Sequence, residues 1–148
     1  MSPSWSGGGV PMRNLVAPLA LLLLSGCASL SSPPAACPAG QQPMRMAQLF
    51  FGQNIGGKPG VSEIEFRKFT DEELTPRFPA GLTVLDGGGQ WKGADNKLIR
   101  EASKIVLLVL PQRGGDVGRK LAEVREAYIK RFHQDSVLLV TQTACAAF

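Results

Sequence analysis

The chain has 148 residues, of which 44% are hydrophobic and 19% are charged, and its formal net charge is +4. This apolar content excludes a disordered chain, and the interleaving of basic with acidic residues argues against a nucleic-acid-binding surface. Three cysteines and one histidine leave little material for a metal site, so the sequence predicts no metal and no cofactor. The length is that of one small domain.

Residues 1–26 have the order of a secretory signal peptide. Arg13 is a short positive region, Leu15–Leu24 is apolar, and two small residues separate that run from Cys27. As a helix the apolar run would span only about 15 Å, half of a bilayer core, so a permanent transmembrane helix is not expected. The stretch before Met12 carries no charge, and we therefore expect Met12 to be the true start.

The run Leu24-Ser25-Gly26-Cys27 resembles the lipobox of bacterial lipoproteins. This resemblance implies cleavage before Cys27 and acyl chains, such as palmitate, on its sulfur and its new amino terminus. The alternative is an ordinary signal peptide with an incidental cysteine. By the same resemblance, Ala28 in place of an aspartate implies sorting to the outer membrane, facing the periplasm. Residues 27–43 are rich in serine and proline and are predicted to be a tether.

The globular part begins with a strand, a loop and a helix. Met44–Phe51 is strand-like, and the glycine-rich loop Gly52–Gly60 follows it. Ser62 and Glu65 then form a capping box, which predicts the start of a helix that ends near Leu74. The candidate core residues of this helix are Ile64, Phe66 and Phe69.

The middle of the chain predicts two further strands joined by a hairpin. Leu82–Asp86 is a strand that Gly87–Gly89 is expected to break or bulge. Gly93–Asn96 makes the hairpin turn, and the return strand begins at Leu98. The continuous apolar run Ile105–Leu110 is short and rich in β-branched residues, which predicts a central strand buried on both faces.

The last third predicts a second helix and a final strand, Ser136–Phe148. Asp116 is the predicted N-cap of the helix. The apolar residues that form one helical stripe are Val117, Leu121, Val124, Tyr128 and Phe132.

The order of elements over residues 44–148 is therefore strand, helix, strand, strand, helix, strand. It predicts an α+β domain of the ferredoxin-like βαββαβ type, with an antiparallel sheet and two helices on one face. The first and last strands should lie side by side. A different strand order within an α+β fold is the alternative.

Several strings in this domain resemble an uncharacterised family of bacterial envelope proteins, DUF3574. The most specific of them is Thr75-Pro76-Arg77-Phe78-Pro79-x-Gly81-Leu82-Thr83-Val84. The others are Phe51-Gly52, Val61-Ser62-x-x-x-Phe66, Gly89-Gln90-Trp91, Arg100-Glu101-x-Ser103-Lys104 and Tyr128-x-x-Arg131-Phe132-x-Gln134-x-Ser136-Val137. The resemblance covers nearly all of residues 44–148. It implies no activity, substrate or catalytic residue, because the family has none assigned.

Three residues are the candidates for a ligand pocket. Arg77 lies between two prolines and could anchor an anion; the alternative is that this segment is a stiff connection that docks Phe78 into the core. Trp91 could line one groove of the hairpin together with Glu101, Arg100 and Asp86, although a hairpin tryptophan is more often a packing or interface residue. His133 is expected on the surface at the end of the second helix. No catalytic residue is predicted.

Cys37 and Cys145 are predicted to form a disulfide. Lipidation uses Cys27 and leaves an even pair of cysteines in an oxidising compartment. In a ferredoxin-like sheet the end of the last strand is near the start of the first, which brings the two cysteines together. The alternative is a free thiol at Cys37 and a small apolar strand residue at Cys145.

These observations favour a non-catalytic envelope lipoprotein that binds an unknown envelope partner or ligand, or that associates with itself. The sheet face opposite the helices should be apolar and would need a cover, for which a second copy, giving a homodimer, is one solution. The alternative is a small-molecule enzyme of the ferredoxin-like dimeric barrel type, with Arg77, Trp91 and Glu101 in its pocket. That alternative requires Arg77 and Glu101 to converge on one cavity.

Overall fold

A computed structural model describes residues 36–148 of the protein. The signal peptide, the start at Met12, the lipidation at Cys27 and most of the tether lie outside these residues. The elements are, in chain order, β1 Gln42–Gly52, β2 Asn54–Ile55, β3 Lys58–Pro59, α1 Glu63–Phe69, a π-helical turn Thr70–Leu74, β4 Thr83–Lys92, β5 Leu98–Pro111, α2 Val117–Phe132 and β6 Leu138–Ala146.

Four strands form one antiparallel sheet in the order β4-β5-β1-β6, and β2 and β3 form a separate small hairpin. Strand β1 lies in the centre and pairs with β5 on one side and with β6 on the other. The first and last strands of the sheet are therefore neighbours, as the sequence predicts. The fold is the predicted ferredoxin-like α+β sandwich.

One face of the sheet packs against both helices and contains the core. Its strand residues are buried in alternate positions: Ala47, Leu49 and Phe51 in β1, and Val106, Leu108 and Leu110 in β5. An aromatic cluster fills the space between sheet and helices and consists of Phe51, Phe66, Phe69, Tyr128 and Phe132, with ring centroids 4.7–6.3 Å apart. Mostly edge-to-face contacts of this kind add to the stabilisation from burial alone.

Helix α1 begins at the predicted capping box. The Glu65 N–H donates to Oγ of Ser62 at 3.3 Å, and the Ser62 N–H donates to Oε2 of Glu65 at 2.8 Å. Phe66 and Phe69 are buried, but Ile64 is 79% exposed, so its assignment to the core is wrong. A residue two positions before Phe66 lies about 200° around the helix from it, which places Ile64 on the side away from the core.

Strand β4 runs through its three glycines without a break, so the predicted interruption is wrong. Gly87 pairs with Ser103, and Gly89 pairs with Glu101 on β5. A Cβ atom on Gly87 would lie only 2.8 Å from Cδ1 of Ile105, because neighbouring side chains occupy the space that this glycine leaves. Side chains of β5 thus accommodate Gly87 within the strand.

The apolar run of β5 is buried on one face only. Val106, Leu108 and Leu110 are buried under the helices, whereas the alternate residues are only half-buried. The prediction of burial on both faces is wrong because no element of residues 36–148 covers the second face. We call this second face the open face; its large apolar residues are Met44, Met46, Phe50, Leu85, Trp91, Ile99, Ile105, Leu107, Val109, Leu138 and Val140.

Helix α2 buries all five residues of its predicted stripe. Asp116 stands at the predicted N-cap position, but its side chain makes no capping hydrogen bond. Its carboxylate instead pairs with Arg119 at 3.2 Å and with Lys120 at 3.4 Å. His133 ends the helix in the left-handed conformation, with a φ of 51°.

A disulfide joins Cys37 to Cys145, the pair that the sequence predicts, with the two Cα atoms 5.5 Å apart. The register between β1 and β6 sets Pro43 opposite Cys145, so the chain before β1 needs only to fold back over this corner. Residues 36–148 thus contain a core of their own and this bridge, and a chain that begins at Ala28 includes all of them. No helix in the described part is long and apolar enough to span a membrane.

Candidate functional site

A cleft of about 850 Å³ lies at one end of the open face. Its floor is the part of the β4–β5 hairpin that continues past the end of β1 at Gly52. Two loops border it: the turn between β2 and β3, at Gly56 and Gly57, and the connection from α2 to β6, residues 133–136. Trp91 and Glu101, two of the three predicted pocket residues, both line this cleft.

The carboxylate of Glu101 is oriented by the backbone. The N–H of Asn54 donates to its Oε1 at 2.7 Å. A Cβ atom on Gly52 would lie 2.6 Å from that same oxygen, so the carboxylate needs a glycine at this position. Glu101 belongs to β5, and Asn54 follows directly after the end of β1. The hydrogen bond between them therefore lets the end of β1 orient the carboxylate.

Beneath this acid, the phenol of Tyr128 donates to the backbone oxygen of Gly52 at 2.8 Å. Burial of the ring, together with the nearby Glu101 carboxylate, raises the pKa of Tyr128 well above its usual value. The phenol therefore stays neutral and acts as a donor to the end of β1. This contact connects the aromatic cluster to the strand end that positions Glu101.

The indole of Trp91 lies against Gly89, the residue that pairs with Glu101 in the sheet. Gly89 is opposite Glu101 in the β4–β5 register, and a Cβ atom on Gly89 would be 3.5 Å from the six-membered ring of Trp91. A methyl group at position 89 would thus be in ordinary van der Waals contact with the ring, and a larger side chain would have to displace it. Trp91 remains 44% exposed, so its ring is available to a ligand in the cleft.

The two loops at the border of the cleft are joined by one side chain. Nε2 of Gln134 donates to the backbone oxygen of Asn54 at 2.6 Å and to that of Phe132 at 3.3 Å. On the other side, Nε2 of Gln53 donates to the backbone oxygen of Val61 at 3.2 Å. These bonds hold the cleft border to the helix layer.

Arg77 does not belong to this cleft, and its assignment to the pocket is wrong. Its Nη1 donates to the backbone oxygen and to Oε2 of Glu73, both at 2.8 Å, and its Nε donates to Oε2 of Glu123 at 3.3 Å. Both carboxylates belong to the helix layer, which lies on the opposite side of the sheet from the open face. Two local acids satisfy the guanidinium, so Arg77 is a structural link between the helix layer's two halves.

Lys104 is a buried charge that the sequence analysis did not single out. It lies on the helix-covered face of β5, where its ammonium donates to Asp86 at 2.6 Å and also to Glu63. Hydrogen bonds to Asp86 and then to Glu63 raise the pKa of Lys104 above its usual value. The pairs tie α1 to strands β4 and β5, away from the cleft.

The sequence analysis also missed Asn54, Gln134 and Ser103 as cleft residues. Asn54 lies in the glycine-rich loop Gly52–Gly60, and Ser103 and Gln134 lie in two of the family-like strings, but no spacing in the sequence brings the three together. Gly52 carried a positional signal, as the glycine that ends the first predicted strand. Asp86 and Arg100, which the sequence analysis also placed in the hairpin groove, lie on the other face of the hairpin, so that prediction is wrong for them. Within residues 36–148, no group of three or more histidine, cysteine, aspartate or glutamate side chains is placed to hold a metal ion.

Residues 46–148 match the family described as a protein of unknown function, DUF3574. The chain belongs to this family. No curated protein matches the sequence. The family match covers the whole of the α+β domain except the start of β1.

Several solved structures share the fold at low sequence identity. A phage SAM lyase in complex with S-methyl-5'-thioadenosine is 16% identical with a TM-score of 0.56, and the match covers 79% of this chain and 97% of that one. The apo form of phage SAM lyase gives a TM-score of 0.54 at the same identity, over 78% and 97% of the two chains. CutA from Synechococcus elongatus, with bound Bis-Tris, is 8% identical with a TM-score of 0.46, over 71% and 84%.

Proposed function

We propose that this protein is a lipid-anchored component of the bacterial cell envelope whose α+β domain binds a small molecule without transforming it. The observation that carries the binding role is the placement of Trp91 and Glu101 side by side in one cleft. An exposed aromatic ring beside an oriented carboxylate provides both apolar contact and polar specificity, the usual combination in ligand sites.

The envelope location rests on the sequence before the domain and is supported by the disulfide. The lipobox-like run that ends at Cys27 predicts the anchor, and Ala28 predicts the outer membrane, with the domain in the periplasm. A bridge between Cys37 and Cys145 fits an oxidising compartment, because such bridges rarely persist in the cytosol.

The anchor is tested by membrane fractionation of cells that produce the full chain. Cys27→Ser is expected to move the protein to the soluble fraction or to leave an uncleaved precursor, because stable anchoring needs the acyl chains. Ala28→Asp should keep the protein lipidated but shift it to the inner membrane. A Cys27→Ser protein that stays in the membrane at mature size contradicts the anchor.

Binding without catalysis is favoured by the chemistry of the cleft. Acyl-transfer or hydrolytic chemistry needs a nucleophile in hydrogen-bond contact with a base. Among the described residues that line the cleft, Glu101 makes its hydrogen bond to the backbone of Asn54, and neither Ser103 nor Ser136 is bonded to His133. The arrangement suits recognition of a ligand by the carboxylate and the indole rather than its chemical conversion.

Retention of small molecules tests the binding role. The Ala28–Phe148 domain is dialysed against the low-molecular-mass fraction of bacterial envelopes, and bound compounds are identified by mass spectrometry. Wild type is expected to retain a compound that Trp91→Ala loses. Leu98→Ala is the matched control, because Leu98 is a comparably exposed apolar residue of the same hairpin on the other face. Equal retention by wild type and Trp91→Ala contradicts the cleft as the site.

The second candidate function is a small-molecule enzyme of the ferredoxin-like dimeric barrel type. The observation in its favour is that Glu101 and Trp91 share a cleft with Ser103 and His133. The phage SAM lyase, whose structure holds S-methyl-5'-thioadenosine, has the same fold and supplies the assay. Incubation of the domain with S-adenosylmethionine is expected to release no S-methyl-5'-thioadenosine; release that Glu101→Gln abolishes would establish the enzyme instead.

We also propose that the open face is covered by a second copy of the chain. It exposes Leu138 by 58% and Val140 by 39%, beside half-buried residues of β1 and β5. Glu101 is the one charged residue among the paired sheet positions of this face, so two copies can meet there with little like-charge repulsion. Sedimentation of the Ala28–Phe148 domain is expected to show a dimer; a monomer at high concentration contradicts it.

A further inference from the structure

The cleft has the opposite charge from the chain as a whole. The chain carries 16 lysines and arginines against 12 acids. Of the described residues that line the cleft, Glu101 and Asp135 are acidic and none is lysine or arginine. His133 is the third titratable residue of the lining. A ligand in this cleft therefore meets negative charge on a protein that is otherwise basic, which favours a cation.

Glu101 has no cationic partner within residues 36–148. Its assigned contact is the N–H of Asn54, which takes one of the roughly four lone-pair positions of a carboxylate. Other acids of the domain are paired: Glu73 and Glu123 with Arg77, and Asp86 with Lys104. The charge of Glu101 is thus held in a fixed orientation, and its remaining acceptor positions are available to a ligand.

Trp91 supplies a second feature that attracts a cation. The face of an indole is electron-rich and binds a positive charge within about 6 Å of the ring centre. The indole lies over Gly89, directly across the strand pair from Glu101. Apolar side chains, among them Phe50, Ile99 and Ile105, line the cleft beside neutral polar ones such as Ser103 and Gln134. Such walls suit a cation that carries alkyl groups better than a metal ion, which needs several oxygen ligands.

We propose that the cleft binds a small organic cation, of the quaternary ammonium class, between the indole of Trp91 and the carboxylate of Glu101. This inference rests on the proposed role of the cleft as a binding site and specifies the charge and class of its ligand. Two glycines belong to the same site. The indole packs against Gly89, and the carboxylate of Glu101 occupies the space that a side chain at Gly52 would need.

A matched pair of ligands tests the inference. Choline and its uncharged isostere 3,3-dimethylbutan-1-ol have nearly the same shape and differ in charge. Trp91 is the single tryptophan of the Ala28–Phe148 domain, since the other tryptophan of the chain is Trp5. Its fluorescence therefore reports on the cleft alone, and calorimetry provides an independent measurement.

Choline is expected to bind at least about tenfold more tightly than the isostere, the effect of a desolvated cation–π contact together with the carboxylate. Glu101→Gln should weaken choline binding by about tenfold and leave the isostere unchanged, because the glutamine oxygen can still accept from Asn54. Glu126→Gln is the matched control, since Glu126 is an exposed acid of α2 outside the cleft.

The outcomes separate this inference from the proposed function. Equal affinity for the two ligands, with Trp91 fluorescence responding to both, overturns the cation inference and leaves the binding role intact. No response to either ligand in fluorescence and calorimetry also overturns the cation inference, while the binding role is then decided by the dialysis experiment. Choline binding that Glu101→Gln does not weaken overturns the assignment of Glu101.

Discussion

The two faces of the sheet carry similar apolar residues but bury them to very different degrees. On the helix-covered face, Leu49 and Val106 are fully buried, and the aromatic cluster packs directly on them. On the open face, Leu138 and Val140 are exposed to a large extent. Apolar sequence alone therefore does not tell which face the chain covers for itself. The helix-covered face stabilises the monomer, and the open face is available for a ligand and a second copy.

The difference between the two faces is tested most strongly by replacing one phenylalanine on each face with alanine. Phe69→Ala is expected to lower the free energy of unfolding by about 3–5 kcal/mol, because it leaves a cavity in the aromatic cluster. Phe50→Ala, on the open face, is the matched control and should cost clearly less in a dilute sample. Urea unfolding measures both. Equal losses at the two positions would show that the open face is as well packed as the core.

The disulfide is expected to have the next largest effect. Cys145 is on the side of β6 that faces the helix layer, in phase with Leu139, which packs against the core. Cys145→Ser should lower the free energy of unfolding by about 2–4 kcal/mol, because the bridge closes a loop with a sequence separation of 108. Unfolding with and without reductant provides the control: reductant should destabilise wild type and leave Cys145→Ser unchanged.

A charged residue introduced on the open face should weaken the proposed dimer without unfolding the monomer. Leu138→Glu is expected to raise the dimer dissociation constant at least about tenfold, because it removes a buried leucine from the proposed interface, a contribution of about 1.5–3 kcal/mol. Ile64→Glu, on an exposed apolar residue of α1, is the matched control and should leave the dimer intact. Sedimentation gives the constants. The open face is not the interface if both variants behave alike.

The smallest expected effect concerns the buried lysine of the helix-covered face. Lys104→Met should change the free energy of unfolding by less than about 1 kcal/mol at neutral pH, because Asp86 and Glu63 are themselves largely exposed. The pKa of Lys104 is raised in the folded state, so its contribution is fully present below pH 10.5 and is lost as the pH rises through the folded value. Any stability advantage of wild type over Lys104→Met should therefore disappear only above pH 10.5. An advantage that stays unchanged as the pH rises above 10.5 would show that the charge of Lys104 does not contribute to it.

The helix layer could be predicted from the sequence because its signals are local. The stripe of α2 repeats at the helical period, and the capping box of Ser62 and Glu65 needs only four neighbouring residues. Ile64 was misplaced because a seven-residue helix has too few apolar positions to define one face. The break at Gly87 was misplaced because whether a strand continues depends on the side chains of its partner strand, here Ile105.

The candidate site was predictable only in part. Trp91 and Glu101 belong to one hairpin, so their proximity follows from a single turn. Arg77 was assigned to the pocket because its flanking prolines suggested a presented side chain, but Glu123 on a distant helix pairs with it. Asn54 and Gln134 enter the cleft from loops that are 80 positions apart, a contact that no spacing in the sequence reveals.

With the proposed anchor at Cys27, the bridge between Cys37 and Cys145 would also limit the distance between the domain and the membrane. If the chain is anchored at Cys27, nine residues lie between the anchor and the bridge at Cys37, and an extended chain over this separation reaches at most about 35 Å. Without the bridge the free segment would extend to the start of β1 at Gln42, for a reach of about 50 Å. In a protein anchored in this way, oxidation would limit the distance between the β6 edge of the sheet and the lipid, and reduction would raise the maximum reach by roughly half.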